Sequence, residues 1–462
     1  MNQQTQLSNM QVRDARSVLH PYTALHKLDD TGSLVISEGK GVYVYDSHGK
    51  AYIEGLSGLW CAGLGFGNEE LIEAGKQQLD RLPYYHLFGS RTTEPAVELA
   101  EKLKEVAPVD MSHVFFTCSG SEANDTQIKL IWYYNNALGR PNKKKIIARN
   151  KAYHGVTVMT AALGGLPMLH NEFDPQLNRI LRTDCPHYYR FGEGDESEAD
   201  FLARTVSSLE ALIDREGAEN IAAMIAEPVM GAGGVLVPPQ GYFPAIQEVL
   251  HRHDILLICD EVITGFGRTG HMWGSQSLDI KPDLISSAKQ LTSAYAPLGA
   301  VMVPEFIMDA LKAQSEKLGL FGHGYTYGGH PLGCAIGVKA LEIYERLDIA
   351  KKVREIAPLF ARRLRKLDQL PFVGETRCIG LLGAVELVKD KQTRGSFDGQ
   401  FAVGTKAAQF AVEEGLILRA IGDSLALCPP MIINETELNE LFDRLERALT
   451  RTADWISRNK PN

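Results

Sequence analysis

Between about residue 100 and residue 300 the chain alternates short, largely apolar runs with longer segments whose apolar positions recur at helical spacing. The apolar runs cover 114–117, 145–148, 221–226, 255–259, 283–287 and 298–303, and the helical patterns cover 122–138, 201–216 and 243–253. Strands with no polar face must be covered on both sides. The alternation therefore predicts an α/β fold with a mostly parallel sheet between helical layers. After Pro331 the pattern changes to helical stretches at 332–346, 350–367, 403–414 and 435–450, around strand-like runs such as 379–388. That texture predicts a smaller α+β domain, joined by the strand-like pieces 34–37 and 41–45. The expected division is an N-terminal segment at 1–60 attached to the small domain, a large domain at 61–330 and the remainder of the small domain at 331–462. Residues 192–198 read as a solvated acidic loop.

Composition narrows the function classes. The 462 residues are 44% hydrophobic and 23% charged, ordinary globular composition with ample length for two domains. The net charge of −9 argues against nucleic acid or an anionic membrane as partner, because both reward basic patches. No apolar run reaches the roughly 18 residues of a membrane span, and residues 1–31 lack the apolar stretch of a signal peptide. The seven cysteines (61, 118, 185, 259, 334, 378 and 428) are scattered and never spaced C-x-x-C. Neither a disulfide framework nor a zinc site is expected, and a reducing cytoplasm fits best.

The candidate chemistry lies where the apolar runs end. Lys289 follows the run 283–287 and so falls at the rim of the sheet. A desolvated lysine loses its proton more readily and condenses with an aldehyde. Asp260 ends the run 255–259, one strand–loop–strand step upstream. An amine for an aldehyde and a carboxylate for a pyridine nitrogen are what pyridoxal 5′-phosphate (PLP) requires. Ser119-Gly120-Ser121-Glu122-Ala123-Asn124 opens a helix after another run, and its small residues can admit an anion to the N–H groups of the first turn. An ordinary Ser-capped helix with Glu122 in a capping box explains the same residues. Beside Asp260 and Lys289, the phosphate cup becomes the better reading. Tyr153, in Tyr153-His154-Gly155, could stack on a flat heterocycle, although an isolated tyrosine there is more often a surface-loop residue. Glu227 is a further carboxylate at a strand end. Ser121, Tyr153, Glu227, Asp260 and Lys289 thus all fall where open α/β sheets bind ligands.

Rival motifs are weaker. Gly265-Phe-Gly267-Arg-Thr-Gly270 matches the dinucleotide pattern, but residues 268–282 have two glycines, a proline and no helical period, which makes a loop. No H-E-x-x-H or G-x-S-x-G occurs, and His251 and His253 face different directions on a helix. No metal site is expected.

At these residues the chain resembles the class III (ω-amino acid type) aminotransferases. The resemblance runs from Ser119–Asn124 through Tyr153–Gly155, Glu227–Gly234, Asp260–Gly270 and Lys289 to Gly299-Ala-Val and Tyr325–Pro331, and so spans nearly the whole chain. Within the family the chain is most similar to amine– and diamine–pyruvate aminotransferases. The resemblance implies the type I PLP-dependent transferase fold, with a mixed, mostly parallel seven-stranded sheet. It also implies roles. Lys289 would hold PLP and later move a proton at the substrate carbon. Asp260 would keep the ring nitrogen protonated. Tyr153 would stack on one ring face and Val262 on the other, with His154 among the cofactor contacts. Gly120 and Ser121 would bind the phosphate, joined by Thr326 from a neighbouring subunit, and Glu227 would stand behind the ring. Trp60, Tyr22, Ala232 and Phe88 would line the substrate pocket, Phe88 from the partner, and Arg419 would grip a keto-acid carboxylate. Core packing is the plain alternative for Trp60 and Phe88, and a surface ion pair for Arg419.

The implied assembly is a homodimer with shared active sites, or a tetramer built from it. The implied reaction is ping-pong transfer of an amino group from a diamine, ω-amino acid or arylalkylamine to a small keto acid, pyruvate. An aminomutase or decarboxylating enzyme of the same fold is the rival reaction, and a PLP-binding protein without turnover the rival class. Two positions depart from the family pattern. Ala232 stands where many members carry a glutamate that pairs with the arginine. Ser293 and Ala294 make the stretch after Lys289 less glycine-rich.

Overall fold

The computed structural model describes residues 7–459. Three strands come first, β1 (Ile36–Lys40), β2 (Tyr43–Asp46) and β3 (Ala51–Glu54). Seven then build the central sheet: β4 (His113–Thr117), β5 (Lys145–Arg149), β6 (Ile180–Thr183), β7 (Ile221–Ala226), β8 (Leu256–Asp260), β9 (Leu284–Ser287) and β10 (Gly299–Val303). Their order is β4-β10-β9-β8-β7-β5-β6. Pairing is parallel throughout except at β10, which runs antiparallel to both neighbours. This is the mixed, mostly parallel seven-stranded sheet expected.

The apolar runs work on both faces, because successive strand residues point to opposite sides. Ile146 and Ala148 pack with Ala123, Ile128 and Ile131 of the helix Gly120–Ala137. Ile147, between them, packs with Leu209 and Ile213 of Glu198–Glu216 and with Phe243 and Ile246 of Tyr242–Arg252. β6 escaped the sequence reading. It is a four-residue edge strand, mostly half-buried, and carries a charge in Ile-Leu-Arg-Thr.

The last five strands are β11 (Val373–Ile379), β12 (Leu382–Leu387), β13 (Leu416–Ile417), β14 (Arg419–Ile421) and β15 (Ser424–Leu427). The run read as one strand at 379–388 is the turn and second arm of an antiparallel hairpin, reversed at Gly380 with φ +54°. Apolar residues on both sides of Gly380 hid the turn. The last helix, Glu435–Asn459, continues past its expected end. β13 pairs in parallel with β3, Leu416 opposite Ile53, so residues 51–54 and 416–417 share one sheet. β11, β12, β15 and β14 form another.

Candidate active site

Every predicted site residue except Phe88 and Thr326 lines one cavity of about 240 Å³ at the carboxyl ends of the parallel strands. The geometry of β4, β5, β7, β8 and β9 explains why. Each strand ends at the same edge and releases its loop there.

The loop after β4 opens the helix Gly120–Ala137. Ser119 Oγ accepts from Glu122 N at 3.2 Å, as an N-cap should, but the Glu122 carboxylate reaches past it to accept from Cys118 N at 2.7 Å. The capping box is therefore displaced by one residue. Ser121 Oγ accepts from Val156 N at 3.2 Å, which ties the loop after β5 to this helix start. Small residues are required here. A Cβ on Gly120 would lie 3.0 Å from Val262, and one on Gly299 would collide with Thr117 Oγ1 and Ser119 O.

Asp260 is the buried last residue of β8. Its Oδ2 accepts from Asn124 Nδ2 at 2.7 Å and lies 2.8 Å from His154 Nδ1; its Oδ1 accepts from Val262 N at 3.1 Å. A carboxylate only accepts, so Nδ1 carries the His154 proton. Nε2 is buried without a partner among the described residues. Asn124 is in turn held by Gln127 Nε2 at 3.0 Å and Ser286 Oγ at 2.7 Å, both donating to its Oδ1. The sequence reading quoted Asn124 inside a motif and gave it no role. Its place one turn below Gly120, on the face that Ser121 shares, was the available signal. Glu227 Oε1 accepts from Tyr153 N and Oε2 from Gly231 N, both at 3.0 Å. Burial raises its pKa.

Lys289 has φ +48° and begins a tight turn beyond β9. Burial pushes its pKa down, countered by Cys61, Asp260, Glu227 and Cys428. The next residue anchors it: Gln290 Nε2 donates to Ile263 O at 3.0 Å and Gly265 O at 3.3 Å. The Gly265–Gly270 stretch is thus a buried turn beneath the lysine, with no packed helix of the dinucleotide type. Gly267 and Gly270 take φ +100° and +93°, and buried Arg268 links the turn to Ser57 and Pro429. Ser293 and Ala294 both adopt left-handed backbone, φ +49° and +69°, where glycine is the easy choice. The Ser293 hydroxyl offsets part of that strain by accepting from Leu64 N at 2.9 Å.

At the outer end Arg419 lies over the Tyr22 ring, 5.7 Å from its centroid. Among the described residues no carboxylate pairs with Arg419, and Ala232 lines the cavity it faces. Trp60 is both core and cavity wall: it is 2% exposed, in a left-handed conformation with φ +66°. Tyr22 is likewise at φ +50°, and such backbone outliers in bulky residues gather at functional sites. Leu59, Met168, Ile263 and Ile421 also line the cavity; the sequence reading gave them no part. Phe88 is 49% exposed and lines a separate hollow with Phe321, His323 and Tyr325. Thr326 is exposed, its carbonyl accepting from Tyr84 Oη at 2.8 Å.

The donor set fits PLP. An amine of lowered pKa, a carboxylate with a free lone pair on Oδ1, an N-terminal helix turn free of bulky side chains, and flanking Tyr153 and Val262 converge on one cavity. His187, Glu375 and Glu386 bring ligand atoms within 4.8 Å of one another elsewhere, but Arg377 Nη1 stands 2.7 Å from both carboxylates and supplies the positive charge itself. Among the described residues no helix is long and apolar enough to cross a membrane.

Comparison with known proteins agrees with this geometry. Residues 26–449 match the family model described as aminotransferase class-III. A probable gamma-aminobutyrate transaminase 3, mitochondrial, of Oryza sativa subsp. indica is 48% identical over 96% of this chain and 87% of its own length. The omega transaminase of Pseudomonas jessenii, solved in complex with PMP, superposes with a TM-score of 0.96 at 47% identity, covering 97% of this chain and 99% of that one. A PMP-bound aminotransferase of Vibrio fluvialis gives 0.95 at 43% identity over 97% and 99%.

Proposed function

The chain belongs to the class-III aminotransferases, a PLP-dependent family of the type I transferase fold, and from that premise we propose that it moves an amino group from an apolar or ω-carboxylated amine to pyruvate. The observation that carries this reading is Arg419, unpaired by any described carboxylate at the outer end of the cavity. A planar guanidinium suits a keto-acid carboxylate. The acidic side chains lining the cavity, Asp260 and Glu227, are both committed to partners within the protein. A diamine's distal ammonium would find no free carboxylate, so the lining favours arylalkylamines and ω-amino acids over diamines.

Bound PLP supplies an aldehyde carbon that exchanges for an amino group and a ring that withdraws electrons from the substrate carbon. Lys289 would hold that aldehyde and, once displaced by substrate, would move a proton from the substrate carbon to the cofactor's former aldehyde carbon. Burial lowers its pKa, the direction that favours the basic form this needs. Asp260, oriented by Asn124 and His154, would hold the proton at the pyridine nitrogen. Gly120 and Ser121 would receive the phosphate at the helix N-terminus. Tyr153 and Val262 would flank the ring, and Glu227 fixes the Tyr153 backbone.

Two copies complete the site in this reading. Thr326 and Phe88 lie outside their own chain's cavity and are exposed, which supports their delivery from a second copy in a homodimer. The pairing of β3 with β13 supports counting residues 1–60 with the small domain. The free cysteines support a reducing compartment, the cytoplasm, although the rice relative is named mitochondrial.

The test is a panel of amines assayed with pyruvate for alanine formation, with each amine first given alone. Loss of the visible PLP absorbance on amine addition and alanine on pyruvate addition are expected. Unchanged absorbance with every amine would refute the first half-reaction. Carbon dioxide release, or an amino group moved within one molecule, would replace this reading with the rival reactions.

A further inference from the structure

Arg377, on β11, is buried and uses every donor of its guanidinium. Nε donates to Gly234 O at 3.1 Å and Val235 O at 3.0 Å. Nη2 donates to Gly234 O at 2.6 Å and Ser424 Oγ at 3.2 Å. Nη1 meets Glu375 and Glu386, each at 2.7 Å. Those carboxylates are themselves held, Glu375 by His187 Nε2 at 2.9 Å and Glu386 by Arg190 Nε at 2.6 Å and Ser424 Oγ at 2.9 Å. Two arginines and two glutamates balance, and burial favours the neutral form of His187.

This junction grips the backbone of one segment that walls the active site and a side chain on the strand next to another. The segment is the turn Gly231–Val235, which carries Ala232 and is closed by Gly234 N and Val235 N donating to Gly231 O. Gly234 has φ +122°, and a Cβ there would lie 3.2 Å from Arg377 Nη2. The strand is β15, where Ser424 pairs across the ladder with Ile421 of β14. Ile421 and Arg419 share that three-residue strand and both line the cavity. We infer that Arg377 is a positioning residue: it sets the spacing between the Ala232 turn and the Arg419 strand, and through it the subsite for a substrate carboxylate. A point charge on a flexible stem cannot reproduce this, because the contact pattern is a planar fork.

The inference rests on the reading of Arg419 as the carboxylate-binding group, and the test separates the two. PLP-loaded wild type, Arg377→Lys and Ser424→Ala are compared in three measurements. These are the rate of PLP bleaching by an amine without a carboxylate, the KM for pyruvate, and the Kd of unreactive propionate from the holoenzyme spectrum. For Arg377→Lys, KM and Kd rise about tenfold while bleaching stays within about twofold. Ser424→Ala, which leaves no buried charge unpaired, shifts KM in the same direction by about two- to fivefold. Should Arg377→Lys fail to fold, Ser424→Ala alone decides. Unchanged KM and Kd in a folded variant, or equal losses in bleaching and KM, overturn the inference. If wild-type propionate binding is insensitive to Arg419→Leu, it is the reading of Arg419 that fails.

Discussion

Asn124 donates a 2.7 Å hydrogen bond to Asp260 Oδ2 from the first turns of the helix that opens the phosphate cup. One side chain thereby couples the part of the site that would take the phosphate to the part that would take the ring nitrogen. His154 Nδ1 lies on the same oxygen, and Val262 N donates to Oδ1, so both carboxylate oxygens are held in place.

Removing that bond should loosen the cofactor before it damages the fold. A hydrogen bond to a charged group contributes about 1.5–3 kcal/mol, so Asn124→Ala should weaken PLP binding roughly 10- to 100-fold. An absorbance titration of the apo form with PLP measures it. Unaltered affinity would mean that His154 alone orients Asp260.

Gly299 faces Thr117 Oγ1 and Ser119 O with no space for a methyl group. Gly299→Ala should cost about 1–3 kcal/mol of stability through overpacking. It should also weaken PLP retention, since the displaced backbone leads into Gly120. Thermal unfolding with and without PLP checks both. A loss of stability with PLP retention intact would confine the strain to the strand.

Glu54 is 5% exposed, and burial raises its carboxyl from the usual 4.5 to about 7, against the opposing hydrogen bonds from the backbone of Leu56 and Gly58. Between those values the folded protein keeps a proton that the unfolded chain has released. Stability therefore falls as pH rises through this window, by roughly 3 kcal/mol in total, and the penalty is complete above about pH 7. Glu54→Gln should flatten this part of the profile and raise Tm on its alkaline side. Parallel Tm profiles for the two proteins would assign the pH dependence to other groups.

Ala232→Glu would put a carboxylate into the cavity beside Arg419. A partly exposed ion pair contributes about 1 kcal/mol, enough to raise the KM for pyruvate roughly fivefold. The KM for an amine without a carboxylate should hold steady. Steady-state kinetics with both substrates varied tests it, and an unchanged pyruvate KM would place position 232 out of reach of the arginine.

The strand-end residues were legible because of chain order. Each apolar run stops at a polar residue, and in a parallel sheet successive stops collect at one edge. Ser121, Tyr153, Glu227, Asp260 and Lys289 followed from that rule alone, and all five line one cavity. The seventh strand and the hairpin turn at Gly380 were not legible. A short half-buried edge and a mainly apolar run whose turn is marked by a single glycine carry no period that distinguishes them.

The sequence by itself thus determined six of the central sheet's seven strands, the edge at which the parallel ones end, and the amine and carboxylate that the chemistry needs, because these are local in the chain. Only the tertiary structure decided what holds them. Asn124 reaches Asp260, Gln290 reaches Ile263, and Arg377 reaches Gly234 and Ser424 across separations from 27 to 143 residues. A hydrogen bond depends on distances of about 3 Å in space, and no periodicity along the chain encodes which distant donor will meet which acceptor.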